Sequence, residues 1–207
     1  ACVESVRRIF FLRIRRPPRS TLLPHTTRFR SGDEWAGNSS GAGGFAFWIE
    51  TTSSINRAAD AKKDPDYFEL GDQRNLLGDI RPFRIGVGDD ASCFNLNKAT
   101  RPRLLATDVG ALAERDAFTL KAVAKGLEIE EGWNLLREPS ADRVLRAFID
   151  QTTMLSVLKT KVGDRITSTD EWGGKFEVEI AVALADSVFQ GTMVVAEESF
   201  LNRYRAQ

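Results

Sequence analysis

Histidine is almost missing from this chain: one residue, His25, in 207. Cysteine and methionine occur twice each, and the formal net charge is zero. No apolar run approaches the roughly 20 residues that a membrane-spanning helix needs. These absences exclude particular chemistries. Structural zinc is held by clusters of Cys, His or carboxylate ligands, and past residue 31 the chain has one cysteine, Cys93, and no histidine. Serine and cysteine hydrolases need a positioned base beside the nucleophile, and the usual one is lacking. Gly86-Val87-Gly88-Asp89-Asp90 lacks the later Gly and the Lys of a phosphate-binding loop, so ATP hydrolysis is not expected. No catalytic, cofactor-binding or metal-binding residue is assigned, and the chain as given is expected to be soluble.

The zero net charge conceals an uneven distribution. Residues 1–31 hold eight Arg and one acid, Glu4, which leaves 21 basic and 28 acidic side chains in the remainder. An acidic body argues against a nucleic-acid surface there, because phosphate binding needs a basic patch. The basic arm alone could serve, or could act as a polyproline segment or a transit peptide. Its sequence points elsewhere. Residues 14–31 read IRRPPRSTLLPHTTRFRS. This string closely resembles IRRPPRSTLFPYTTLFRS, the conceptual translation of a widely used short-read sequencing adapter. Fifteen of 18 positions agree, and the departures at Leu23, His25 and Arg28 are each one base change away. We therefore read 14–31 as an assembly artefact that carries the sole histidine, and 1–42 as a non-native or disordered arm. Residues 1–13, with Cys2 and the apolar 9–12, are of uncertain origin, so Cys2 gives Cys93 no credible disulfide partner.

What is present is enough apolar sequence for one core: 42% hydrophobic content and four Trp. The organising stretch is KFEVEIAVALADSVFQGTMVVAEESF, residues 175–200. Its alternating, then saturated, apolar pattern predicts a long strand over 176–185, a connection at 186–191, a second strand over 192–196 and a helix start. Before it, residues 162–166 open a hairpin whose turn is 171–174, where Gly173-Gly174 supplies positive φ.

Upstream, GNSSGAGG ends a segment at 31–44 that reads as flexible. Asn38-Ser39-Ser40 matches a glycosylation acceptor and is given no role. The apolar run 45–49 is expected as a buried strand. Asp64-Pro65 signals a short helix over 65–70. Strands are expected over 80–87 and 103–106, and again over 144–149. Residues 109–125 lean towards a helix broken near Asp116. Residues 133–136 form a helical turn, and 152–158 a helix with Met154, Leu155 and Leu158 on one face.

Three features hold open alternatives. Asp89 and Asp90 could do acid–base work or hold a cation, against the commoner fate of a cap or solvated loop. Cys93 reads as a reactive thiol or, more usually, a small buried hydrophobe. Phe189 and Gln190 form either a binding tip or a core-anchored turn.

GDDASCFNLNKATRPRLLAT (88–107) and KVGDRITSTDEWGGKFEVEIAVALADSVFQGTMVVAEESFLNRY (161–204) resemble the ectodomain of FtsX-like ABC transporter permeases. The likeness is to those with a MacB-like periplasmic core, where similar GDDASCLNL and ADSxFQG strings recur. GGFAFWIETTSSI from Gly43 resembles the opening of that ectodomain. Asn97 stands where the family usually has an aromatic, and 116–138 matches poorly.

The resemblance covers 43–207 and implies an α+β fold, a mixed sheet with flanking helices in two lobes. It implies a fragment truncated at both ends, lacking the transmembrane helices, on the extracytoplasmic (periplasmic) face of a bacterial inner membrane. It implies no catalysis and no cofactor. The partner would be a cytoplasmic ABC ATPase acting through the membrane part, with room for a second permease copy. The family-pattern positions are Gly88, Asp89, Asp90, Ala91, Ser92, Cys93, Asn95 and Leu96, then Asp186, Ser187, Phe189, Gln190 and Gly191. They are expected to be structural or interface residues. The rival expectations are a secreted ligand-binding module and a small carboxylate-based enzyme.

Overall fold

The computed structural model describes residues 8–14, 37–45, 47–50, 77–86, 102–137, 144–170 and 173–205. Among the described residues nine strands join one mixed sheet. In chain order they are β1 (Arg8–Ile14), β2 (Phe47–Glu50), β3 (Leu77–Ile85), β4 (Arg103–Thr107), β5 (Leu120–Val123), β6 (Leu145–Asp150), β7 (Arg165–Thr169), β8 (Lys175–Leu184) and β9 (Thr192–Ala196). The spatial order is β2-β1-β3-β4-β9-β6-β8-β5, with β7 also on β8. The pairs β4–β9 and β6–β8 are parallel and the others antiparallel. Helices α1 (Val109–Ala113) and α2 (Glu197–Arg205) accompany it, with a 3-10 segment at Ile129–Leu136 and a π-helical turn at Thr153–Leu158.

The organising stretch takes its expected form. Along β8 the first half alternates between exposed and buried residues, and from Ile180 every residue is buried. Alternation marks a strand with one wet face, and saturation marks one covered on both. β7 lies on the first half of β8 through Arg165–Glu179 to Thr169–Lys175, and β5 on the second half. β7 and β8 meet where the Asp170 amide donates to Gly174 O at 2.9 Å; of the two glycines expected to take positive φ, Gly173 does, at 84°, and Gly174 does not.

Two apolar layers cover the central strands. Leu105, Phe148, Val182, Phe189 and Val194 face one layer, closed by Leu112 of α1 and by Trp133, Leu135 and Leu136 of the 3-10 segment. Leu104, Ala147, Ile149, Ile180, Met193 and Val195 face the other, closed by Met154 and by Phe200 of α2. The register between β6 and β8 shifts so that Ala147 opposes Ile180 while Phe148 opposes Val182. Ala181 is the extra residue of a bulge, which turns Ala181 and Val182 to the same layer.

Three expectations are corrected. The arm 1–42 is not structureless throughout, since Arg8–Ile14 pairs with β2 and β3. A short apolar run between arginines has the pattern of a strand inserted between two others. Residues 37–44, expected to be flexible, instead form hydrogen-bonded turns: the Phe118 amide donates to Asn38 O at 2.7 Å, Thr119 Oγ1 to Ser39 O at 2.7 Å, and the Val188 amide to Gly41 O at 2.9 Å. Residues 15–31, which hold nearly all of the adapter-like string with His25, lie outside the described residues.

The third correction concerns 109–125, where a helix covers only Val109–Ala113, capped by Asp108 Oδ1 accepting from the Gly110 amide at 2.9 Å. Asp116 and Phe118 then adopt φ 46° and 67°, and Leu120–Val123 pairs as β5 with β8. Burial of Ala117 and Phe118 in the turn, with the β8 ladder beyond it, overrides the helix propensity of these residues. The helix expected at 65–70 lies outside the described residues. None of the helices among the described residues is long and apolar enough to cross a membrane.

Candidate functional site

Strand order brings distant segments together around buried polar groups at the end of β6. β8 and β9 flank β6 and run in opposite directions, so residues 185–191 must cross over the end of β6. The last residue of β6 is Asp150, paired with Leu184 of β8. It is 0% exposed.

The Asp150 carboxylate is fully occupied. Oδ1 accepts from the amides of Thr152 at 2.9 Å and Thr153 at 3.2 Å. Oδ2 accepts from the Ser187 amide at 2.7 Å and the Ser187 hydroxyl at 3.1 Å. A buried charge is costly unless hydrogen-bonded, and among the described residues no Lys or Arg pairs with this one. Its compensation is geometric: two amides from the helical turn after β6, and an amide with a hydroxyl from the crossing segment.

Further bonds tie the crossing down at its other end. The Gly191 amide donates to Thr153 Oγ1 at 2.9 Å, and Thr192 Oγ1 donates to Phe189 O at 2.9 Å. Gly191 sits at φ 71°, a left-handed conformation that favours glycine. Between these anchors Phe189 points inward and is fully buried. Its ring lies 4.9 Å from that of Phe118, 5.5 Å from Trp48 and 5.8 Å from Phe83, in tilted and edge-on contacts. Such aromatic pairs add about 0.5–1.5 kcal/mol each beyond the area they bury. Trp133 extends the cluster, 5.8 Å from Phe118, with its Nε1 donating to Ala117 O at 2.6 Å.

The sequence-derived positions therefore separate. Ser187, Phe189 and Gly191 are brought together in the interior, whereas Asp186, at φ 40°, and Gln190 are exposed at the rim of the crossing. Of the two readings of Phe189, the core-anchored turn is the one realised. Gly88, Asp89, Asp90, Ala91, Ser92, Cys93, Asn95 and Leu96 lie outside the described residues. Asp150 and Thr153, the partners that organise the crossing, were missed. Asp150 ends an apolar strand and directly precedes the helical residues 151–158, which is an N-cap signal legible in the sequence.

Chemically, a carboxylate closed off by four donors and without exposed surface positions backbone. Elsewhere, buried Arg146 Nε and Glu179 Oε2 have no hydrogen-bond partner among the described residues and belong to residues opposed across β6 and β8. Among the described residues no group of three or more His, Cys, Asp or Glu converges as a metal site would require. No family model, curated protein or solved structure matches the chain.

Proposed function

We propose that this chain is the extracytoplasmic portion of an FtsX-like ABC transporter permease with a two-lobed MacB-like periplasmic core. In this reading it is non-catalytic: it transmits motion from a cytoplasmic ATPase to a substrate or partner on the outer side of a bacterial inner membrane. The membrane part of the permease, and in some assemblies a second permease copy, would connect the two.

The observation that supports the reading is where the family-like string ADSVFQG falls. Its inward-facing members hold a strand crossing in place through Asp150 and the aromatic cluster. Pattern residues spent on architecture suit a domain that moves as a unit, since hinge and shear motions carry force only between packed rigid elements. A binding module or enzyme would be expected to place its recurrent residues at an open surface.

The test is to recover the flanking DNA by amplifying outward from the codons for residues 175–200. Reading frames that continue on both sides into long apolar helices support the permease. A stop near Gln207 with a secretion signal upstream identifies a secreted binding module instead.

A further inference from the structure

We infer that the π-helical turn at Thr153–Leu158 and the crossing at 186–191 open and close as a single unit, latched by Asp150. The inference stands on hydrogen bonds alone, so its failure would leave the permease reading untouched.

Two donors come from the start of the turn, the amides of its N-cap Thr152 and of Thr153, and two from the crossing, the Ser187 amide and hydroxyl. Among the described residues no cation shares the load. If either element lifted by itself, the other two donors would be left holding a carboxylate cut off from water on one side, which is the costly arrangement for a buried charge. If both lift together, water reaches the carboxylate and replaces all four donors at once. Opening one element therefore takes donors from a charge that the other element still shields, and this couples the two openings.

A second bond enforces the same linkage from the opposite end. Thr153 Oγ1, on the turn, accepts from the Gly191 amide on the crossing. Asp150 and Ser187 are 37 residues apart in sequence, and Thr153 and Gly191 are 38 apart, so no local chain constraint links the two elements. The turn is also an unusual element. π-helical bonding is rare and occurs mostly as single turns, and this one is closed by Lys159 at φ 54°. The turn and the crossing thus share one latch at the end of β6, where local opening has a defined boundary.

The test reads one element after changing the other. Native-state amide hydrogen exchange is measured on the full chain and on Ser187→Ala, which alters only the crossing: it removes the hydroxyl bond to Asp150 and the Phe189 amide's acceptor at 3.4 Å. The expected result is a loss of protection at the Thr153 amide equal to that at the Gly191 amide, about tenfold, with Ile180 in β8 unchanged. Thr153→Val, which removes the Gly191 bond, is expected to lower protection at the Ser187 amide in the same way. Loss confined to the element carrying the substitution, in either variant, overturns the inference. Should Ser187→Ala unfold the chain, Thr153→Val decides alone.

Discussion

Asp150 Oδ2 accepts both the amide and the hydroxyl of Ser187, at 2.7 and 3.1 Å, inside the protein and 37 residues away in sequence. That double contact makes the connection between β8 and β9 part of the core, and it fixes the direction in which Phe189 enters. It follows that the charge and the shape of this side chain both matter. Asp150→Ala leaves three amides and a hydroxyl without an acceptor and is expected to cost more than about 3 kcal/mol, since unsatisfied buried donors cost about 1–3 kcal/mol each. Asp150→Asn keeps one acceptor oxygen and should cost about 2 kcal/mol. Urea unfolding of the three proteins gives the order; an Asn variant as stable as the parent would contradict the assignment.

The segment at 37–44 gives a second expectation. A Cβ at Gly41 would meet the carbonyl oxygen of Asp186, whereas a Cβ at Gly126 would meet nothing within 4 Å. Gly126→Ala therefore costs only the left-handed backbone conformation, at φ 88°, about 1–2 kcal/mol. Gly41→Ala must push the segment off the crossing and loses the Val188-to-Gly41 bond, so it should cost about 2–3 kcal/mol and speed exchange at the Val188 amide. A neutral Gly41→Ala would restore the flexible reading of this segment.

The π-helical turn makes a third expectation. Met154 is 5% exposed and packs in the second apolar layer, while Leu155 is 52% exposed. Met154→Ala should cost about 2–4 kcal/mol, as buried Met truncations do. Leu155→Ala should stay within about 0.5 kcal/mol, as surface changes do. Equal losses at the two positions, measured by thermal unfolding, would return the segment to the α-helical register in which Met154, Leu155 and Leu158 share a face.

These cases separate what the sequence discloses from what it does not. The hairpin and the strands of the organising stretch were legible because period-two alternation and the Gly173-Gly174 turn are local signals. The change from alternation to saturation along β8 likewise announced a strand covered on both faces. Leu155 leaves the face that 3.6 residues per turn predicts, because the wider π turn rotates it into solvent. β5 was read as helix because Leu120-Lys121-Ala122-Val123 has no strong preference of its own and takes its form from β8.

The candidate site was legible only in part. The resemblance pointed to Ser187, Phe189 and Gly191 without naming what they touch, because Asp150 and Thr153 approach them only once β6 lies between β8 and β9. Strand order is a property of the whole sheet, and no window of sequence contains it.

The most direct test of the crossing as architecture is equilibrium urea unfolding of Phe189→Ala beside the parent chain. A ring buried among Trp48, Phe83 and Phe118 should cost about 3–5 kcal/mol when truncated, with the slope of the transition unchanged. A loss well under about 1 kcal/mol would contradict the account, because the ring of a surface binding tip can be removed at little cost to the fold.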